Sequence, residues 1–473
     1  MAVVRPCVID PGLAVSPRTL FERLAGASGR FWIDGGEPGI SFLGALPDAR
    51  FEIARDGSVR DDLASGRTGD PFEALAAFVG RATSLREPGA APRVVGALAF
   101  DLAPLVEPRM EIAGERPGDG LPLVVLARHP AVATCRRLAD GAWSTRIEAD
   151  DETAGRRLAE MLAAGRGRPP QAPPRAFLLE EPDGDAYRGA IEAARRLIAD
   201  GDVYLVNLAQ RYVLGGVEDP SRIFLALREA QPVPLGAWLD VGCAEIFSNS
   251  PERFLRVRGS TIETEPIKGT RPRGSTPAED EALLHEIRHD EKERAEHVMT
   301  VDLERNDLGR ICRPGTVSVP SLLRVESFAT LHHLVSTVRG KLRDGVGLAD
   351  VLRATFPGGS VTGAPKIRAT QVIASLEPRP RGFYTGAIAW WRGPLDFDSS
   401  IAIRTAVVRD GRLVYPVGAG IVADSDAARE HRECRLKAAA LLRAAGLGEE
   451  SRESAAGGRG GPGTPRSRAG VAR

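Results

Sequence analysis

Lysine is scarce in this chain: among 63 lysines and arginines only five, Lys268, Lys292, Lys341, Lys366 and Lys437, are lysine. Arginine is therefore the default cation, and surface charge is not a sufficient reason for keeping a lysine. What lysine adds is an amine able to lose its proton and attack carbon, which a guanidinium cannot do. Chance retention accounts for Lys292 and Lys341. Cysteine is sparse too. Cys7, Cys135, Cys243, Cys312 and Cys434 are scattered without a C-x-x-C pair, which argues against a disulfide framework or a cysteine-rich zinc site and suits the reducing cytoplasm. Net charge is missing as well. The 63 acidic residues cancel the 63 basic ones, so no global field draws nucleic acid or an anionic membrane. The longest apolar stretch, near Val94 to Val106, is broken by Asp101 and Pro104, and the N-terminus has no basic segment followed by an apolar one. Neither export nor membrane insertion is expected.

What is there suffices for a large core: 473 residues, 43% hydrophobic, enough for two or three domains or one interwoven unit. Residues 1–164 mix short strand-like runs with Gly/Pro breaks and read as an α+β scaffold region. The Pro/Gly/Arg stretch 165–175 reads as a linker. Residues 176–448 carry the chemistry, and 449–473, nearly without apolar side chains, read as a disordered tail. Tyr187, Ile191, Ala194, Leu197 and Ile198 recur at helical spacing ahead of a strand from Val203 to Val213. Ser275-Thr276-Pro277 caps one long charged helix expected over about 278–303, and Ser425-Asp426 opens a last helix ending near Gly446.

Around the turn signal Arg258-Gly259-Ser260, the apolar residues Leu255, Val257 and Ile262 form a hairpin pattern, which carries Glu252 and Lys268 toward one end. A carboxyl and an amine so placed can act as proton donor and nucleophile. Taken alone, the pair also fits an edge ion pair, the commoner arrangement near a turn. Glu293 and Glu296 share one helix face, and Glu430 and Glu433 repeat the spacing on the last helix. If the two pairs face each other they make an oxygen-rich site suited to Mg²⁺; the alternative is two hydrated helix surfaces. His285-Glu286-Ile287-Arg288-His289 matches the H-E-x-x-H zinc-peptidase pattern, but it is flanked by a charged, solvated face and has no metzincin third ligand. The stretch Gly358 to Lys366 imitates a phosphate loop with its lysine two positions late and no Ser/Thr after it, so a nucleotide site is a weak reading.

Several blocks together resemble the chorismate-utilising enzymes, and within them the aminodeoxychorismate synthase component I type. They include Gly201-Asp202-Val203-Tyr204, Ser250-Pro251-Glu252-Arg253-Phe254, Pro266-Ile267-Lys268-Gly269-Thr270, Ala295-Glu296-His297-Val298-Met299, Asp302-Leu303-Glu304-Arg305-Asn306-Asp307-Leu308 and Gly418-Ala419-Gly420-Ile421-Val422. The likeness runs from about Tyr187 to Leu442. It implies a large α+β fold, a two-sheet sandwich in which N- and C-terminal halves interweave. It implies that Lys268 and Glu252 are catalytic, with His333 a ring neighbour. Thr362, Tyr384, Arg404, Gly418, Gly420 and Lys437 would hold the substrate's carboxylates. Glu296 and Glu433 would ligate Mg²⁺, with Glu293 and Glu430 behind them. Anthranilate-type members carry alanine where this chain has Lys268, and isochorismate and salicylate types carry a water-activating lysine where it has Leu205. Aminating members usually have glutamine at the latter place, so Leu205 is a departure. Glu265 matches an acidic position of the isochorismate type and keeps C2 hydroxylation open. The function implied is amination of chorismate to 4-amino-4-deoxychorismate for p-aminobenzoate and folate synthesis. The alternatives are another chorismate conversion and, distantly, a zinc peptidase. The turn Val241-Gly242-Cys243-Ala244-Glu245 lacks the second glycine of a G-x-C-x-G elbow, so ammonia is expected from a separate glutaminase partner.

Overall fold

The computed structural model describes residues 7–37, 39–64, 69–83, 91–110, 119–165, 176–328 and 331–447. The expected linker, apart from Gly165, and the expected tail 449–473 lie outside the described residues. Two antiparallel sheets form the frame, of twelve and eleven strands among the described residues. In the larger sheet the strand Phe31–Asp34 pairs with Leu235–Asp240, followed by Glu245–Ser250, Thr405–Arg409, Arg412–Ile421 and Leu205–Gly215. In the smaller one Val94–Leu98 pairs with Ala387–Gly393, followed by Asp396–Ile401, Arg253–Arg258, Thr261–Glu265, Leu331–Lys341 and Ile267–Pro272. Residues before 165 and after 176 contribute strands to both sheets, so these ranges are not separate structural units.

The larger sheet is buried on both faces, and its sequence shows why. Side chains on a strand alternate between faces. Phe31, Ile33, Ala237, Leu239 and Ile246 point into the core shared with the smaller sheet, while Trp32, Trp238 and Phe247 point into a second core. The second core is roofed by helices that include Gly184–Ala199, Pro220–Ala230 and Ala427–Ala444. Trp238 stacks on Phe247 at 5.8 Å. Strands that must fill two cores read as continuous apolar runs and lose the in/out alternation of a half-solvated sheet.

The helix expected over about 278–303 is two helices. Pro277–His289 ends at Asp290, which is extended, and Asp290 caps the next helix, Glu291–Gly309, by accepting from the Glu293 N–H at 3.0 Å. A capping aspartate between two charged runs is a stop and a start at once. The break re-aims the second helix, which carries Glu293, Glu296 and Glu304, against Ile267–Pro272 and Leu331–Lys341. The helical spacing from Tyr187 to Ile198 lies within Gly184–Ala199, capped by Asp183, and the last helix, Ala427–Ala444, starts behind the Asp426 cap as expected; Lys366–Leu376 follows the glycine-rich turn.

Candidate active site

The site lies where the ends of both sheets meet the helices Glu291–Gly309 and Ala427–Ala444. The turn Gly259-Ser260 closes the hairpin Arg253–Arg258 with Thr261–Glu265, and the chain then steps across to Ile267–Pro272, which pairs with Leu331–Lys341. Glu252 and Lys268 do come to one end. The Glu252 carboxyl is buried and accepts the Ile267 N–H at 3.4 Å, and the Ser360 side chain favours its charged form. Burial raises its pKa against the pull of Ser360 and Lys268, so it is suited to hold a proton. Lys268 Nζ donates to the Ser360 carbonyl at 3.0 Å. One residue of the glycine-rich turn, Ser360, therefore acts on both the carboxyl and the amine. Arg271, three residues on, bonds Glu286 and Asp290, each at 2.7 Å. The amine is faced by carboxylates, those of Glu252, Glu293 and Glu296.

His333 lies on the strand beside Lys268, its Nδ1 at 3.0 Å from the Thr270 hydroxyl and 3.3 Å from the Gly269 carbonyl. Burial, with Arg404 adding, lowers its pKa to about 4, so the ring is neutral, donates from Nδ1 to the carbonyl and keeps Nε2 as an acceptor. Arg404 adopts φ 49°, and its Nη1 is buried without a partner. A buried guanidinium N–H left open is costly and suits an incoming anion.

The two acidic pairs face each other. Glu433 acts on Glu293, and Glu430 acts on Glu296. Burial pushes the Glu296 carboxyl up to about 7, the Glu293 and Glu430 carboxylates adding to this against Lys268 and Lys292. The ammonium of Lys292 lies between the helices, 3.3 Å from Glu430 and 3.8 Å from Glu296. The lysine that chance seemed to explain thus bridges the two acidic helices. Glu433 is half exposed and pairs with Lys437 at 2.8 Å, and Lys437 also donates to the Gly418 carbonyl at 2.9 Å. The donors are all carboxylate oxygens, a set that fits a hard divalent cation, and among the described residues they do not close on one point.

Gly420 and Gly418 form the floor. A Cβ on Gly420 would lie 3.3 Å from Leu205 Cδ1, 3.7 Å from Lys268 Nζ and 3.8 Å from Glu296 Oε2, so the groups of one cleft converge over it. A Cβ on Gly418 would meet the Leu208 carbonyl at 2.6 Å and the Tyr384 hydroxyl at 3.1 Å, which a side chain cannot do without displacing backbone. Tyr384 is buried, which holds its hydroxyl protonated. Thr362 is fully buried and its hydroxyl is engaged by the Gly358 carbonyl at 3.0 Å, so it shapes the turn.

Other residues singled out by pattern are placed elsewhere. Glu265 is held by Arg253 at 2.8 Å and Arg324 at 3.1 Å. His285 and His289 stack on an exposed face, His289 Nδ1 donating to the His285 carbonyl at 2.7 Å, while Glu286 is bound to Arg271. The zinc-peptidase reading gains nothing from this arrangement. Lys366, the phosphate-loop mimic, points inward to the Thr355 and Pro357 carbonyls at 2.9 and 2.7 Å and to Asp307. No helix among the described residues is long and apolar enough to cross a membrane.

A cleft of this build, on two interleaved antiparallel sheets, defines a chorismate-site fold. The chain belongs to the chorismate binding enzyme family, whose model matches residues 28–443. It is 45% identical over 266 residues to aminodeoxychorismate synthase component 1 of Bacillus subtilis (strain 168), covering 56% of this chain and 57% of that one. It is 48% identical over 254 residues to anthranilate synthase component 1 of Bacillus caldotenax, covering 54% and 50%. The chain thus spans about half the length of these curated relatives. Anthranilate synthase component 1 of Streptomyces coelicolor matches more widely, at 40% identity over 400 residues, 80% of this chain and 77% of that one. Among solved structures, anthranilate synthase component I from Streptococcus pneumoniae superposes with TM-score 0.73 at 28% identity, covering 92% of this chain and 99% of that one.

Proposed function

We propose that this protein aminates chorismate at C4, as the synthase subunit of an aminodeoxychorismate synthase, taking ammonia from a glutaminase partner. The reading rests on Lys268, an amine beside a buried carboxyl at the position where the anthranilate-type relatives have alanine. Lys268 Nζ, as the neutral amine, adds to C2 of the ring, both ring double bonds shift away from C2 toward C4, and the C4 hydroxyl departs as water on taking the proton of Glu252. Ammonia then adds at C4 and gives a proton back to the Glu252 carboxylate, both double bonds return, and the bond from C2 to the protonated Lys268 nitrogen breaks, freeing the lysine as the neutral amine. The enolpyruvyl ether is retained. Arg404, Lys437 and Tyr384 orient the carboxylates and fix which ring face meets the amine. His333, neutral and pinned through Nδ1, offers Nε2 to a proton at the ring. Glu296 and Glu433, with Glu293 and Glu430 behind them, would hold Mg²⁺. Bound there, the ion would neutralise the ring carboxylate. Leu205 leaves one wall apolar where aminating relatives carry an amide.

The wider match to the Streptomyces coelicolor anthranilate synthase favours a second reading, amination at C2 with loss of pyruvate. Incubation with chorismate, ammonium and Mg²⁺, with product identification by mass, separates the two. Aminodeoxychorismate supports the first. Anthranilate and pyruvate support the second, and isochorismate overturns both.

A further inference from the structure

Glu304 takes no part in the reaction as proposed, yet its setting is unlike that of a structural acid. It lies on the helix Glu291–Gly309, 2% exposed. Its Oε1 accepts the Gly359 N–H at 2.9 Å, while Oε2 is buried with no partner. Burying an oxygen without a partner costs free energy, and a leucine would fill the same space without that cost. The bond that Glu304 does make is to the turn Gly359–Val361, and the next residue is Ser360. Its carbonyl holds the Lys268 amine at 3.0 Å, and its side chain acts on the buried Glu252 carboxyl. One helical turn on, Asp307 takes the ammonium of Lys366, which also donates to the Thr355 and Pro357 carbonyls. The glycine-rich stretch is thereby pinned to this helix at both ends.

We propose that Glu304 is a positioning residue: from beneath the turn it fixes the peptide that carries Ser360, and so sets the Lys268 amine and the Glu252 carboxyl together. This rests on the reading of those two as nucleophile and acid. The groups facing Glu304 are Asp307 on its own helix, Lys366 at the head of Lys366–Leu376, and Glu252 ahead of Arg253–Arg258; Arg310 faces Asp307. Burial pushes the Glu304 carboxyl up to about 8, Asp307 and Glu252 adding to this and Lys366 opposing it. At neutral pH it is therefore uncharged, and above that range it places a negative charge near Glu252.

Glutamine at 304 keeps a neutral acceptor for the Gly359 N–H; leucine keeps only the volume. Chorismate consumption with ammonium and Mg²⁺ is measured for wild type, Glu304→Gln and Glu304→Leu across pH 6 to 9.5, with melting curves of each. Glu304→Leu should lose about tenfold or more in kcat with KM for chorismate nearly unchanged, as expected for misplaced reacting groups. Glu304→Gln should retain most of kcat, and the decline of wild-type kcat above about pH 8 should be absent from it. If Glu304→Leu does not fold, the glutamine variant and its pH profile decide. Full kcat in Glu304→Leu overturns the proposal, as does a folded Glu304→Gln that is inactive or has the wild-type pH profile. Variant ratios test Glu304 whatever product forms, whereas the mass of the wild-type product tests the amination reading.

Discussion

At the scale of single residues, Lys268 carries the most consequence. Its amine is set by the Ser360 carbonyl and faced by the carboxylates of Glu252, Glu293 and Glu296. Lys268→Ala removes the proposed nucleophile, and formation of aminodeoxychorismate should fall by roughly a hundredfold or more. Chorismate binding should survive, because Arg404 and Lys437 remain. The emptied space resembles the anthranilate-type pocket, so residual turnover should place ammonia at C2. Lys268→Arg should be as poor as alanine, since a guanidinium stays protonated at any usable pH. Unchanged C4 amination by either variant, with ammonium as donor, would refute the covalent route while leaving fold and family intact. Lys268 was legible in the sequence because lysine is rare there. Lys292 was not, although equally rare, because its meaning depends on Glu430, 138 residues away. Glu304 is hidden for the same reason: nothing in a helical charge pattern reveals that Gly359 will close over it.

At the scale of elements, the helices Glu291–Gly309 and Ala427–Ala444 act as one acidic jaw. The i, i+3 spacing of each pair was readable from sequence because it is a property of one helix. That the pairs face each other was not, because it is set by how both helices pack on the sheet ends. The break at Asp290 was missed because its flanks are charged on both sides, so no change of periodicity marks it; only the cap does. With Lys292 standing between Glu296 and Glu430, a divalent ion must displace an ammonium to enter. Mg²⁺ should therefore raise the melting temperature of the wild type, by binding the folded state alone. Glu296→Gln should lose that rise and need roughly tenfold or more Mg²⁺ for half-maximal turnover. A melting temperature indifferent to Mg²⁺ in wild type and variant alike would remove the ion from this jaw.

At the scale of the whole molecule, chemistry and stability are divided differently along the chain. Every residue assigned to the cleft lies between Leu205 and Lys437, and the described residues before 165 contribute none. Those residues nevertheless form contiguous blocks of both sheets, joined to the remainder along two seams, Phe31–Asp34 against Leu235–Asp240 and Val94–Leu98 against Ala387–Gly393. The first seam is clasped by Arg228, which pairs with Asp34 at 2.7 Å and lies over the Trp32 ring at 4.2 Å. Cutting at the 165–175 stretch would strip both seams. It would leave Leu235–Asp240 and Ala387–Gly393, which carry Trp238 and Trp390, as unpaired edges of almost wholly buried, apolar strands. Long apolar edges of that kind pair with other chains. A fragment of residues 176–447 should accordingly aggregate or bind a hydrophobic dye without cooperative melting, even though it holds the whole cleft. Co-expression with residues 1–165 should restore a soluble complex that consumes chorismate. A fragment that stays monomeric, melts cooperatively and turns over chorismate alone would show that the seams are dispensable, and that the apparent linker is a true domain boundary.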